Sequence, residues 1–423
     1  MFGKNQNTMG ILHFKKIAVT ISFIVAILAS TILSANAQKA IQAQSVAATL
    51  PVAAPIKTYH IGIFAPLYLD SVFSPEGNFH YKQGIPRLIE SALEFVQGAE
   101  LGFDSLYLPN TNVIVSIYDS KSYNEPVPTL IKEKKLDSLD IIIGAVKDAE
   151  YKELADFSLL KKIPFISATY PNDGGITQDP YLVIMNPTLK AHCEAIFSYL
   201  LENHGTDKIF LVRKKGVQED KIADYFKEIN MQDGKPLLNI QTLNYEASQQ
   251  DADNLKKKLD STKQTIIIGG SLDEAFATNL TLACHDLFQS YPITLIGMPN
   301  WDGFKQLTKS DVFADFPVYI TSPYFNDKLD NNSRMLMNGY MIKYKGKPTD
   351  MAFKGYECAS VFTNLLIKYS TAIMSNLNDK TFKVFSDYNF RPVMFGNYDS
   401  PDYFENKHLY FVKIQGGNSS KAW

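Results

Sequence analysis

Two short runs of consecutive isoleucines constrain the fold more than any other feature of the sequence. They occupy residues 141–143 and 266–268. A strand with one face in water alternates apolar and polar residues, whereas a parallel strand covered by helices on both faces is apolar throughout. The two runs therefore predict interior strands of parallel sheets.

From Tyr59 onward, apolar runs of strand length alternate with amphipathic segments of helix length, which predicts β-α-β units. A first set of units ends with a strand at 181–186, closed by an Asn-Pro turn, and a second set extends to residue 297. The segment after Trp301 contains a strand, two helices and an antiparallel-looking ribbon. These elements do not readily fit into one half alone. We therefore predict an α/β fold of two doubly wound Rossmann-like lobes with a cleft between them.

The first residues read as a targeting segment. Lys15 and Lys16 precede an uncharged run that ends in Ala-Asn-Ala at 35–37. We predict a signal peptide over 1–37, with a retained transmembrane anchor as the alternative, and a flexible linker over 38–58. A lipid anchor requires a cysteine at the cleavage point, directly after the apolar run, and none is present there, so no lipid anchor is expected. The mature chain is predicted to be periplasmic, without stable membrane insertion after cleavage.

The amino-acid composition limits the classes of partner that the chain is expected to bind. With 42 basic and 44 acidic residues, the chain lacks the charge signature of a protein that binds nucleic acid or an anionic membrane. Cys193, Cys284 and Cys358 each lie in a helix-like apolar pattern, which favours buried free thiols, although the compartment permits one disulfide. No Cys and His cluster has metal-ligand spacing, so neither a metal nor a cofactor is predicted.

The chain resembles the type I periplasmic binding proteins, the group that contains the branched-chain amino acid receptors. It looks closest to a Bacteroidota envelope version related to LysM-associated proteins. The segments that carry the likeness are IGIFAPLYLDS at 61–71, EFVQGAELGFDSL at 94–106, IYDS at 117–120, DIIIGAV at 140–146 and IPFISATYPN at 163–172.

This resemblance implies how the chain divides into lobes. Lobe 1 would comprise residues 59–186 with 302–398, and lobe 2 would comprise 187–301 with 399–423. A hinge of three crossovers would join them and allow the lobes to close over a ligand.

The stretch PFISATYP at 164–171 turns from apolar groups to hydroxyls at its end. Since ligands of open parallel sheets bind outside the carboxyl ends of the strands, such an ending can deliver donors and acceptors to the cleft. The resemblance places Ser167, Ala168, Thr169 and Tyr170 at the positions that hold the ligand in amino acid receptors. Local capping of the strand end is the alternative.

Other candidates come from the neighbouring loops. After the strand at 140–144 the receptors usually place a Ser, whereas this chain has Ala145 and Lys147, followed by Asp148 as the favoured N-cap. In lobe 2, Asp273 or Glu274 could face a ligand ammonium, or could simply be first-turn helix acids. Tyr68 and Tyr324 complete the predicted ligand-binding set, with ordinary packing as the alternative.

The sequence lacks the motifs of nucleotide, phosphate and hydrolase sites, so we predict a binding protein rather than an enzyme. The leading hypothesis is a periplasmic solute-binding protein that closes on a small polar ligand, an amino acid or related compound, for an ABC-type importer. The alternative is a non-transport envelope scaffold or sensor that retains the fold. The predicted partners are the small molecule and an ABC permease, and the chain is expected to be a monomer.

Overall fold

The computed structural model describes residues 56–82, 84–308 and 313–422. The predicted signal peptide and all but the last three residues of the predicted linker lie outside these ranges. Lys57 and Thr58, at the end of that linker, already belong to the first strand. No helix in the described ranges combines the length and the apolar character needed to cross a bilayer.

The strands are, in chain order, β1 (Lys57–Ala65), β2 (Thr111–Asp119), β3 (Ile141–Gly144), β4 (Phe165–Ser167), β5 (Leu182–Ile184), β6 (Lys208–Arg213), β7 (Met231–Gln232), β8 (Lys235–Pro236), β9 (Ile240–Asn244), β10 (Thr265–Gly269), β11 (Ile293–Ile296), β12 (Val318–Ser322), β13 (Phe390–Val393), β14 (Tyr403–Asn406), β15 (Tyr410–Gln415) and β16 (Asn418–Lys421).

The α-helices are α1 (Leu69–Val72), α2 (Arg87–Asp104), α3 (Val127–Lys132), α4 (Asp148–Lys161), α5 (Leu189–Asn203), α6 (Val217–Ile229), α7 (Gln249–Lys258), α8 (Glu274–Phe288), α9 (Lys305–Thr308), α10 (Asn331–Tyr344) and α11 (Asp350–Tyr369). Short 3₁₀ segments span Pro299–Gly303, Ser370–Ser375 and Lys380–Phe382.

Two seven-stranded sheets form the framework. The first has the order β13-β14-β5-β4-β3-β1-β2 and the second the order β16-β15-β12-β11-β10-β6-β9. Pairing is parallel except where β13 meets β14 and where β15 meets β12 and β16. Both isoleucine runs are fully buried. The prediction of two parallel-dominated α/β lobes is confirmed, and the three cysteines are free and buried, as their apolar surroundings indicated.

Strand pairing divides the tail differently from the predicted boundaries at 302 and 399. β12 pairs with β11 and β15 in the second sheet, and β14 pairs with β5 in the first. The predicted boundaries placed these two strands in the opposite lobes. We therefore propose that the chain crosses between sheets at 185–188, at 323–330 and at 407–409. Below, lobe 1 and lobe 2 mean the structures built on the first and the second sheet.

Buried polar groups link the crossovers. The Glu405 carboxylate, in β14, accepts a hydrogen bond of 2.6 Å from the Thr188 amide and binds the Lys407 ammonium at 2.5 Å. Lys407 also binds Glu194 of α5 at 2.8 Å. Leaving a buried carboxylate without its partners is costly, so these contacts hold the first and third crossovers together.

Within lobe 1, α2 and α11 cross with their backbones almost in contact. A Cβ added to Gly355 would lie 1.9 Å from the Phe95 carbonyl oxygen, and one added to Gly98 would lie 1.9 Å from the Ala352 carbonyl oxygen. Only a residue without a side chain fits at either position. This crossing fixes α11, and with it the side chains that α11 directs toward the hinge.

Gly355→Ala is expected to lower the free energy of unfolding by about 3 kcal/mol, because the helices must separate to admit the methyl group. Gly339→Ala is the matched control, since its Cβ would meet the nearest atom of another residue at an ordinary 3.7 Å. The control should be neutral or stabilising, by up to about 1 kcal/mol. Urea unfolding measures both, and equal effects would contradict the close crossing.

His192 generates a prediction about pH. Its Nδ1 lies 2.8 Å from Thr321 Oγ1 inside lobe 2, and burial, assisted by the charge of Lys407, lowers its pKa from 6.5 to about 3. The unfolded chain therefore binds the extra proton below pH 6.5, and the contribution to stability is lost as the pH falls toward 3. Between pH 7 and pH 4.5, this difference is expected to lower the free energy of unfolding by about 2.5 kcal/mol.

His192→Gln should remove this component, so its unfolding free energy should fall less than that of the wild type over the same pH interval. His60→Gln, at a half-buried position in β1, is the control and should keep the wild-type dependence. Identical pH profiles for His192→Gln and the wild type would show that His192 is not held neutral.

Candidate functional site

The carboxyl ends of four lobe 1 strands meet at one edge of the sheet. Phe64 and Ala65 of β1 lie beside Gly144 of β3 and Asp119 of β2, and Gly144 in turn pairs with Ser167 of β4. The loops that follow these strands hold most of the predicted site residues. This edge of an open parallel sheet is where a ligand crevice forms.

At the end of β4, the Ser167 hydroxyl and Ala168 lie on opposite faces of the strand. Ser167 is fully buried on the same face of the strand as Phe165, and its hydroxyl has no hydrogen-bond partner among the described residues. Ala168 points to the opposite face and lines a pocket. Ser167 is therefore turned away from that pocket, because successive side chains of a strand point to opposite faces.

Thr169 and Tyr170 lie beyond the strand and are half-buried. The Thr169 carbonyl accepts a hydrogen bond of 2.8 Å from the Asn186 side-chain amide, at the first crossover. The Tyr170 ring packs edge-on against Tyr151, with 5.0 Å between the centroids. Thr169 is thus connected to the hinge, while Tyr170 covers the core beneath α4.

The loop after β1 is organised by a carboxylate that the sequence did not single out. The Asp119 side chain accepts hydrogen bonds from the amides of Leu67, Tyr68 and Leu69, at 2.9, 3.0 and 2.7 Å. Tyr68 has a left-handed backbone, with φ of 52°, immediately before α1. Three amides converging on one carboxylate hold the chain at Tyr68, which is half-buried at the sheet edge.

The start of α4 departs from the prediction. Ala145 donates its amide to the Phe64 carbonyl at 2.8 Å, and Lys147 is exposed at the N-cap position. The expectation that Asp148 caps the helix is wrong, because Asp148 is its first residue and no side chain caps it. Asp148 and Glu150 occupy the first turn, and Lys121 binds Glu150 at 2.7 Å. Two carboxylates thus already occupy the positive end of this helix dipole.

In lobe 2, the two predicted acids, Asp273 and Glu274, differ in whether other groups already bind them. Asp273 caps α8 by accepting the Phe276 amide at 2.8 Å and also binds Lys214 at 3.1 Å. The Phe276 amide, with the ion pair to Lys214, lowers the pKa of Asp273. Glu274 is exposed in the first turn of α8. Asp273 is therefore occupied by its own helix and by Lys214, which weakens the expectation that it holds a ligand ammonium.

A pocket at the hinge brings two predicted residues together. Ala168 follows β4 in lobe 1 and Tyr324 lies on the second crossover, yet both line this pocket. It has a volume of about 20 Å³, room for about one water molecule. Its lining also includes Met185, Asn186, Pro323, Lys354, Glu357, Cys358, Ser386 and Tyr388. Burial raises the pKa of the Tyr324 phenol, whose hydroxyl has no hydrogen-bond partner among the described residues.

Glu357 forms the polar floor of this pocket. It is fully buried and accepts hydrogen bonds from the amides of Phe385 and Ser386, at 2.9 and 2.6 Å, and from the Ser386 hydroxyl at 2.9 Å. Burial raises the pKa of Glu357, and these hydrogen bonds oppose the rise. Nothing in the sequence around this mid-helix residue marks it, because its partners lie about 30 positions further along the chain.

Two lobes, each built on one of the seven-stranded sheets, define a two-lobed α/β protein. The family model described as periplasmic binding protein matches residues 90–417, and the chain belongs to that family. The resemblance to type I periplasmic binding proteins of the branched-chain amino acid type is thereby confirmed. The family consists of binding proteins rather than enzymes. The finer likeness to Bacteroidota, LysM-associated proteins stays a prediction.

Solved structures share the fold at low identity. An ABC transporter substrate-binding protein from Desulfitobacterium hafniense is 13% identical, covers 86% of this chain and 100% of its own, and has a TM-score of 0.55. A complex of an ABC transporter substrate-binding protein from that organism with Leu is 14% identical over 86% and 100%, with a TM-score of 0.51. A branched-chain amino acid ABC transporter periplasmic ligand-binding protein from Burkholderia xenovorans is 12% identical over 86% and 92%, with a TM-score of 0.55. No curated protein matches the chain.

Asp119→Ala should release the loop at Tyr68, because three amides lose their acceptor together. Hydrogen exchange at residues 67–69 is expected to accelerate at least about tenfold, with a loss of about 2 kcal/mol in unfolding free energy. Asp140→Ala is the control, since among the described residues the Asp140 side chain accepts a hydrogen bond only from the His60 amide, near the other end of β1. Unchanged exchange at 67–69 in Asp119→Ala would show that Asp119 does not fix this loop.

Proposed function

We propose that this protein is a periplasmic solute-binding protein that closes its two lobes on a small polar ligand, an amino acid or related compound, and presents it to an ABC-type importer. The observation that carries the proposal is the shared pocket of Ala168 and Tyr324. One comes from the end of a lobe 1 strand and the other from a crossover, so a ligand bound there touches both the sheet edge and the hinge.

Such a ligand would select among lobe arrangements. A ligand shifts a conformational equilibrium only by its differential affinity for the two states. Contacts at a hinge change when the lobes move, so a molecule at this position gains or loses contacts with each arrangement. The pocket is too small for an amino acid as it stands, and we propose that lobe movement enlarges it into the binding cleft.

The residues proposed to contact the ligand are Ala168 and Tyr324, which line the pocket, and the half-buried Thr169 and Tyr68 near this edge. The complex of a structural relative with Leu supports the amino acid class. Export through the predicted signal peptide, a permease partner and a monomeric state belong to the same proposal. They are supported by the family and by the Lys15-to-Ala37 pattern of the sequence.

A second candidate is a non-transport envelope scaffold or sensor. The observation that favours it is that the groups expected to hold an amino acid are altered: Ala145 has no hydroxyl, and Asp273 already caps α8 and binds Lys214. A protein that keeps the fold but binds no free solute would have no need of those groups. A scaffold or sensor of this kind would be distinguished by the absence of any rise in Tm with every small molecule tested.

Thermal unfolding of the purified chain against the twenty amino acids, small peptides and cell-wall fragments tests the proposal. A ligand at one hundred times its Kd stabilises the folded state by about 2.7 kcal/mol, so at least one compound should raise the Tm by several degrees. Thr169→Ala should abolish that rise. Thr242→Ala, at an exposed position on the edge strand β9, should retain it.

No rise from any compound, in protein shown to be free of a carried-over ligand, would overturn the solute-binding proposal and favour the scaffold. A rise that survives Thr169→Ala would keep the function and exclude this part of the site.

A further inference from the structure

Lys354 is a half-buried cation with no ion-pair or hydrogen-bond partner among the described residues. It lies on α11, lines the hinge pocket, and forms neither an ion pair nor a hydrogen bond with the residues that the structure describes. Neighbouring lysines behave differently, since Lys328 binds Asp350 at 2.9 Å and Lys343 binds Asp104 at 2.9 Å. A partly desolvated ammonium that is left unpaired is costly, which makes it available to a ligand.

Glu357, one helical turn further along α11, does not neutralise Lys354. Its carboxylate already accepts three hydrogen bonds from Phe385 and Ser386 and is fully buried. The Lys354 Nζ instead lies over the Tyr324 ring, 5.9 Å from the centroid, at the second crossover. The ammonium is therefore placed between the pocket lining and the hinge.

In lobe 2, the acidic residue near Lys354 is Asp302, and the two form no ion pair among the described contacts. Asp302 follows β11 in lobe 2, and partial desolvation raises its pKa, while the Gly303 amide and the charge of Lys354 oppose the rise. The two side chains are thus near enough to influence one another, but they form no ion pair among the described contacts. An anion between the lobes would meet Lys354 from the lobe 1 side.

The start of α4 is a poor alternative site for an anion. Asp148 and Glu150 already place two negative charges in its first turn, and Lys147 is exposed, with its Nζ 3.9 Å from Asp148. A further carboxylate there would be repelled by like charges, whereas at Lys354 it would form an ion pair with an ammonium that has none among the described residues.

We infer that Lys354 binds the carboxylate of the ligand, so that the anion contact of this protein lies on α11 at the hinge end of the cleft. This inference rests on the proposed function and narrows it to ligands that carry a carboxylate. The ammonium offers three donors, and a charge-assisted hydrogen bond to a carboxylate oxygen requires no further protein group.

The test measures binding of each L-amino acid and of its C-terminal amide to the full chain by calorimetry. The amide keeps the side chain and the ammonium and loses only the negative charge. For any amino acid that binds, the wild type should bind the amide about 10- to 100-fold more weakly. This comparison requires no substitution.

Lys354→Met removes the charge but keeps the aliphatic stem. It should weaken binding of the acid by about 10- to 100-fold and change binding of the amide by less than about twofold. Lys354→Arg should restore part of the affinity for the acid. Lys347→Met is the matched control, since Lys347 is exposed after α10, and it should bind the acid as the wild type does.

Binding of acid and amide with equal affinity, or undiminished binding of the acid by Lys354→Met, would overturn the inference and leave the proposed function intact. If neither an acid nor an amide binds, this inference fails, and the proposed function then depends on the peptides and cell-wall fragments of the thermal-unfolding experiment.

Discussion

Parallel strands that are apolar on both faces must be covered by helices on both sides, and the rest of this structure depends on that constraint. The isoleucine runs of β3 and β10 are completely buried, each in the interior of its sheet. With both faces of the strands covered, the strand ends and the crossovers between the sheets are left available for polar groups. The Glu405 network and the hinge pocket occupy those crossovers. The fold thus fixes the place of the site before any individual side chain does.

Features that depend on local pattern could be predicted from the sequence. The isoleucine runs indicated covered strands, and the apolar surroundings of the three cysteines indicated buried thiols, as observed. Sheet membership is a different matter, because it depends on non-local pairing. The strand Val318–Ser322 belongs to the second sheet through β11 and β15, and the strand Tyr403–Asn406 belongs to the first through β5. The sequence of neither strand indicates which strands it pairs with.

The candidate site shows the same limit at the level of single residues. The hydroxyls of PFISATYP drew attention to the end of β4, but the side-chain alternation turns Ser167 away from the pocket and leaves Ala168 on it. Asp119, Glu357 and Lys354 had no signal of their own. Each acquires its role from residues distant in sequence: the loop amides for Asp119, the segment at 385–386 for Glu357, and the second crossover for Lys354.

Lobe closure on a bound amino acid is the central claim, and a distance between the lobes tests it most directly. The native cysteines are buried, so spin labels can be directed to Leu88→Cys on α2 and Val217→Cys on α6, two exposed positions on opposite lobes. Electron paramagnetic resonance would then record the distance distribution with and without a saturating mixture of amino acids. The account predicts that the mixture shifts the distribution to a shorter and narrower distance. An unchanged distribution, in protein freed of any carried-over ligand, would contradict it.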